Sequence, residues 1–308
     1  MKRVAIFSSW SIVLLASLQV IRADSYTFTS LGNWGSPNAI NNAGQIVGTS
    51  IGGQQTSSLL YVSGILAPIA VPGSDNTFAY GINNAGQIVG SYSISGAGSS
   101  GFVDSNGVFT TIIVPGNSNA VPRGINDNGQ IAGYVTDSNG HRSGFLDDKG
   151  VFTTLDVCSG CNTYAYGIND NGKIVGYYSD NAGKQTGFVY DRGVFTTIDV
   201  PGSSDTFVYG INNSGMLVGT FVDSTGTHGF VENQGVFTSL DDPASPPQIG
   251  TFARGINDAG QITGSGASAF LAIPSRRSSI PEPGPLLLIL TSGVGMLILH
   301  RRTARVSK

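Results

Sequence analysis

Few residues in this chain of 308 are of types that carry chemistry, and their spacing limits what they could do. Its two cysteines, Cys158 and Cys161, fall where related stretches read Val71-Pro72-Gly73-Ser74 and Val200-Pro201-Gly202-Ser203. A Cys-x-x-Cys redox pair needs a helix N-terminus to lower a thiol pKa, and no helical pattern surrounds this one. Zinc needs two further ligands, and no His is close in sequence. The expected role is a local disulfide that replaces a Pro-stiffened turn. Of the three histidines, His141 and His228 fall between strand-like runs and His300 in the tail, without Ser-His-Asp or metal spacing. Strings such as Asn126-Asp127-Asn128-Gly129 and Asp137-Ser138-Asn139-Gly140 invite a calcium reading. An EF-hand loop, however, ends on a bidentate Glu, and the only Glu residues are Glu232 and Glu282. Turn chemistry accounts for these strings better, so neither metal nor cofactor is expected and no catalytic residue is assigned. A glycosidase needs two convergent carboxylates, a spatial pairing that sequence cannot display, so the enzyme question stays open with a non-enzymatic reading favoured.

One series suggests binding. The residues two before a recurring Ile are Asn38, Tyr80, Arg123, Tyr166, Tyr209 and Arg254. Gathered in a ring, three Tyr and two Arg could stack on sugar faces and bond hydroxyls or carboxylates. The plainer alternative is that these side chains pack between neighbouring units and merely vary.

The elements that would hold such a ring follow from an internal repeat. Ile-Asn recurs at Ile40, Ile82, Ile125, Ile168, Ile211 and Ile256, at spacings of 42, 43, 43, 43 and 45 residues. Periods of this size indicate solenoids, propellers or arrays. Within the third unit the Ile-Asn run, Gln130 to Thr136, a run around Gly144-Phe145, and Val151 to Val157 are divided by Asn-Gly, Asp-x-Asn-Gly and Lys-Gly turns. Such turns suit hairpins, and the fourth run is rich in β-branched and aromatic residues. The repeated Asn is expected to bond backbone two or three residues on, and the Gly after it (Gly44, Gly86, Gly129, Gly172, Gly215, Gly260) to be left-handed. A second repeated Gly (Gly48, Gly90, Gly133, Gly176, Gly219, Gly264) marks a bulge or close approach. Phe102, Phe145, Phe188, Phe230 and Phe270, with Leu59 in the first unit, are expected to fill the space between sheets.

The sixth unit stops after its third strand, and an orphan string, Phe28-Thr29-Ser30-Leu31, matches the fourth strand Phe237-Thr238-Ser239-Leu240 of the fifth. The sequence therefore predicts an all-β fold, a six-bladed β-propeller of four-stranded blades. Its last blade would be completed by the N-terminal strand, residues 26–32 lying beside Phe270.

Outside the repeats, Lys2 and Arg3, an apolar run from Val4 to Ile21 and Ala23 have the layout of a secretory signal peptide, residues 1–23. A retained anchor helix is the alternative. The repeats occupy 24–274, and 275–308 form a linker and tail. Between Asp24 and Arg277 nine basic residues face eighteen acidic ones, net −9. With no basic stripe, nucleic-acid binding is not expected. The tail has Pro281-Glu282-Pro283, an uncharged run from Gly284 to Leu299, and His300-Arg301-Arg302.

That tail resembles the PEP-CTERM sorting signal of Gram-negative bacteria. The resemblance implies recognition by an exosortase, removal of the membrane helix, and delivery to the cell surface or exopolysaccharide matrix. A tail-anchored envelope protein is the alternative, and an intact C-terminus at Lys308 in protein from the native host would exclude sorting-type cleavage. The repeats resemble the HAF family of extracellular repeats, whose His-Ala-Phe is here His228-Gly229-Phe230, with Ser or Thr usually replacing His elsewhere. Neither resemblance implies a reaction. The expected function is a surface protein that binds a glycan or matrix component. A polysaccharide hydrolase or lyase, and a purely structural envelope or biofilm protein, stand behind it.

Overall fold

The computed structural model describes residues 26–50, 57–117 and 119–275. The leader, the Pro281-Glu282-Pro283 motif and the tail lie outside the described residues. Among those described, no helix is long and apolar enough to cross a membrane.

Among the described residues, 24 strands form six antiparallel sheets of four. Blade three shows the pattern: Ala120–Ile125, Gln130–Thr136, Arg142–Asp148 and Val151–Leu155, each hydrogen-bonded to the next. The fourth run ends at Leu155, two residues short of the expected Val157, at the same repeat position as Val108–Ile112, Val194–Ile198 and Val236–Leu240 in other blades. The first strand of every blade touches the first strands of both neighbours, the sixth reaching back to the first, so these strands line a central channel. The fold is a six-bladed β-propeller. The strand Tyr26–Gly32 completes blade six against Ala269–Pro274, with Ser30 opposite Phe270.

Packing follows the repeated residues. Gly90 pairs with Phe102 across the second and third strands, and Gly176 pairs with Phe188 in the same way. A Cβ on either glycine would overlap the carbonyl oxygen of Phe78 or Tyr164 and press on the aromatic ring. Glycine thus opens a seat for Phe at the centre of blades two to six, and Phe102, Phe188, Phe230 and Phe270 are 0–1% exposed; in blade one Gly48 pairs with Leu59 and faces the Trp34 ring. Each joins a cluster fed by two blades: Phe102, for instance, packs with Val47 and Ile69 of the preceding blade. The turn glycines, from Gly44 (φ 75°) to Gly260 (φ 73°), are left-handed as expected.

Two closed rings of hydrogen bonds hold the blades together at one end of the channel. Asn41, Asn83, Asn126, Asn169, Asn212 and Asn257 are 3–4% exposed. Their Oδ1 atoms accept local backbone N–H groups, in Asn126 those of Asn128 (3.1 Å) and Gln130 (2.9 Å). The local turn is therefore as expected, with its longer bond spanning four residues. Each Nδ2 also donates to the main-chain carbonyl of the same Asn in the next blade, at 3.0–3.2 Å, and Asn257 returns to Asn41. One residue on, the backbone N–H of Asn42, Asn84, Asp127, Asp170, Asn213 and Asp258 each donates to the neighbour's Oδ1 at 2.8 Å, again round all six blades.

Candidate functional site

Asn38, Tyr80, Arg123, Tyr166, Tyr209 and Arg254 share a backbone cause. In every blade the pairing of first and second strands jumps at this residue, for example from Pro122 to Gly124 and from Ala165 to Gly167. Each is the extra residue of a β-bulge, which leaves the ladder and has its side chain re-aimed. The structure brings all six together around a channel cavity of about 100 Å³. The glycine that follows, such as Gly124, lets adjacent inner strands approach, since a Cβ there would strike the Tyr166 carbonyl of the next blade.

The ring is largely self-stacked. The Arg123 guanidinium lies 3.8 Å from the Tyr80 ring centre, 4.8 Å from Tyr166 and 5.4 Å from Tyr134. Its Nη2 donates to the Tyr134 hydroxyl at 3.1 Å. Tyr166 meets Tyr209 edge-on at 5.1 Å, with Tyr177 5.6 Å from Tyr166. Arg254 is held more loosely, 5.3 Å from Tyr209 and 5.9 Å from Phe252. On its other side stands Asn38, whose Nδ2 donates to the Ala79 carbonyl at 2.9 Å. The Nε atoms of Arg123 and Arg254 are buried and have no hydrogen-bond partner. Among the described residues no Asp or Glu lines this cavity, and the ion pairs involve neither arginine.

Burial sets the protonation of this ring. It disfavours the guanidinium of Arg123, but the surrounding Tyr166, Tyr134 and Tyr80 outweigh it and its pKa is raised, so the charge persists at any working pH. Burial pushes the Tyr177 phenol up, helped by Tyr166. Burial also raises Tyr209, to about 12 from 10.0, against the pull of Arg254 and Arg123. The folded state therefore keeps a proton that the unfolded chain releases above pH 10, and the stability it lends is present below that pH and lost as pH rises through about 12. At ~1.4 kcal/mol per unit, at most ~3 kcal/mol is involved. Urea midpoints of the parent should fall between pH 9.5 and 11.5 more steeply than those of Tyr209→Phe. Parallel curves would contradict the burial of this phenol.

Elsewhere the structure pairs Cys158 with Cys161 as a disulfide. Cys161 is buried, and its carbonyl lies 2.8 Å from His141 Nε2. His228 belongs to a group that its spacing did not reveal, with Nδ1 3.1 Å from Asp241 and Nε2 2.9 Å from the Thr225 hydroxyl. Thr225 also bonds Asp223 at 2.6 Å, and Asp223 stands 3.5 Å from the same imidazole nitrogen. Carboxylates thus stand at both edges of the ring. The Asp223 pKa is lowered by these hydroxyl and backbone hydrogen bonds. Among the described residues no group of three His, Cys, Asp or Glu could hold a metal. A cavity of about 380 Å³, with Asp137, His141, Ser143 and Phe152 in its wall, lies against blade three at the blade-two loop of Val114 and Pro115. Nothing in the repeat pattern signalled it.

No known family's sequence profile matches the chain, and no curated protein does. Solved structures do. AofleA from Arthrobotrys oligospora aligns over 80% of this chain and 85% of its own, at 10% identity and TM-score 0.52. The SapL1 lectin in complex with alpha methyl fucoside aligns over 79% and 94%, at 11% identity and TM-score 0.50. TolB from Acinetobacter baumannii aligns over 78% and 63%, at 14% identity and TM-score 0.52. At these identities the likeness is one of fold: the chain shares the propeller architecture with these three proteins.

Proposed function

We propose that this chain is an exported carbohydrate-binding propeller that takes its ligand at the channel mouth ringed by Tyr80, Arg123, Tyr166, Tyr209 and Arg254. The observation that carries the reading is the bulge repeated in all six blades, which turns these side chains toward one cavity. Aromatic faces and guanidinium forks suit sugar rings and their oxygen substituents. The lining lacks the paired carboxylates a glycosidase uses, which favours binding over hydrolysis. A lectin with this architecture, SapL1, holds a fucoside, so the fold is compatible with such a role. Export and delivery to the surface or matrix rest on the leader and the Pro281-Glu282-Pro283 tail.

The test is a glycan array and a polysaccharide-degradation screen with the full chain, alongside the combined Tyr80→Ala, Tyr166→Ala, Arg254→Ala variant. Binding should fall at least roughly tenfold in the variant, as expected when central aromatic and Arg contacts are lost. Binding that survives it but is lost in Phe152→Ala would move the ligand to the cavity beside blade three. Release of shortened product would replace the reading with a hydrolase or lyase.

A further inference from the structure

The two guanidinium groups in the channel lack a counter-charge. In a stretch, Asp24 to Arg277, that carries a net −9, two of the few arginines stand inside the channel, and no carboxylate among the described residues shares their cavity. Each has an Nε–H buried without an acceptor, a costly state unless something accepts it. The channel's carboxylates are at its other end, in the ring of Asp127, Asp170 and Asp258. There they already accept Asn side-chain amides at 2.6–2.9 Å. The channel is thus polarised, positive at the bulge end and negative at the other. A cavity of about 100 Å³ is well below the ~300 Å³ at which small-molecule pockets begin. A carboxylate or sulfate group fits such a space.

We infer that the channel mouth selects acidic polysaccharides, seating the anionic substituent of one residue on Arg254, with Arg123 as the second positive charge, while the sugar ring stays outside. The inference rests on the carbohydrate reading above and narrows it to one charge class. Arg254 is the receiving group because its aromatic neighbours stand farther off, Tyr209 at 5.3 Å and Phe252 at 5.9 Å, whereas Arg123 has Tyr80 at 3.8 Å and Tyr166 at 4.8 Å. The arrangement offers Arg254 a two-pronged hydrogen bond to a carboxylate.

Matched probes separate charge from sugar. The full chain is titrated with polygalacturonate and with fully methyl-esterified polygalacturonate, whose methyl esters remove the charge, and with dextran sulfate and dextran. Polygalacturonate or dextran sulfate, whichever anion fits, should bind at least roughly tenfold more tightly than its neutral partner. Arg254→Gln should abolish that difference, while Arg254→Lys, which keeps the charge, should retain part of it. Circular dichroism and melting confirm that each variant is folded, and if Arg254→Gln is not, the Lys variant and the parent's charged-versus-neutral ratio decide. Equal binding of charged and neutral partners overturns the anion inference and leaves the carbohydrate reading standing. Binding of none of the four, with no glycan bound on the array, overturns both.

Discussion

Removing residues 24–32 should cost this propeller about 5 kcal/mol and make it prone to aggregate. Tyr26–Gly32 supplies the outer strand of blade six, pairing residue by residue with Ala269–Pro274. Phe28 meets Phe270 edge-on at 5.1 Å, and Leu31 packs into the cluster of Trp34, Ile40 and Ala269 where blades six and one adjoin. Three half-buried apolar side chains contribute ~1 kcal/mol each, and the ladder bonds add ~0.5–1.5 kcal/mol apiece. Deletion also exposes the strand Ala269–Pro274 as a free edge open to other chains. Urea unfolding and light scattering of the truncated chain read both effects, and a synthetic peptide of residues 24–34 added in trans should recover part of the loss. A truncated protein that stays monomeric with its midpoint unchanged would show that closure of the ring does not depend on this strand.

Asn126→Ala should cost about 3–5 kcal/mol although the side chain lies far from the ring of tyrosines. The Asn126 amide uses its whole bonding capacity. Both donors are engaged, to the Asn169 carbonyl at 3.0 Å and to Gln130 Oε1 at 2.9 Å. Both lone pairs accept, from the N–H groups of Asn128 and Gln130. Alanine strands the N–H groups of Asn128 and Gln130 and leaves the Asn169 carbonyl only the Gly172 N–H, at about 1–3 kcal/mol for each group lost where burial is complete. Asn126→Asp separates the roles, because the carboxylate keeps the two local acceptors and points its second oxygen at two others. Its folded pKa should therefore rise above the unfolded value, and stability present below ~3.9 is lost as pH climbs. The Asp variant should be closer to wild type at pH 4 than at pH 7, while the Ala variant shows no such difference. Denaturation midpoints at the two pH values measure this. An Asp variant as stable as wild type at pH 7 would mean that the bond between blades contributes nothing.

The contrast between these two cases shows what could be read from the chain alone. The missing fourth strand of unit six and its copy at Phe28-Thr29-Ser30-Leu31 were visible because closure is a matter of counting strands. Gly129 and its equivalents were visible because a left-handed turn is local. Asn126 was legible only by half. Its turn lies within four residues, but its second partner is Asn169, 43 residues away, and only the fold brings that carbonyl near. The ring of Tyr80, Arg123, Tyr166 and Tyr209 was placed from its offset to the repeated Ile. Its self-stacking was not foreseeable, because the depth to which Arg123 sinks between two tyrosines depends on the spacing of inner strands set by Gly81 and Gly124. The grouping of Thr225 and His228 with Asp241, and the cavity beside blade three, depend on how particular loops fold back, for which the period carries no information.

The paired rings of asparagine and its successor have neither a first member nor a last. Every unit brings one donor for the blade ahead and one acceptor for the blade behind, so these bonds are indifferent to where the backbone is cut. A circular permutant opened at an exposed hairpin such as Asn181-Ala182, with the original ends joined after removal of leader and tail, would keep all twelve inter-blade bonds in the two rings. The same indifference applies to gene duplication. A unit inserted whole would leave no amide without a partner, so hydrogen bonding does not decide that there are six. That number is left to packing between the sheets, where the buried Phe of one blade meets side chains of the blade before it.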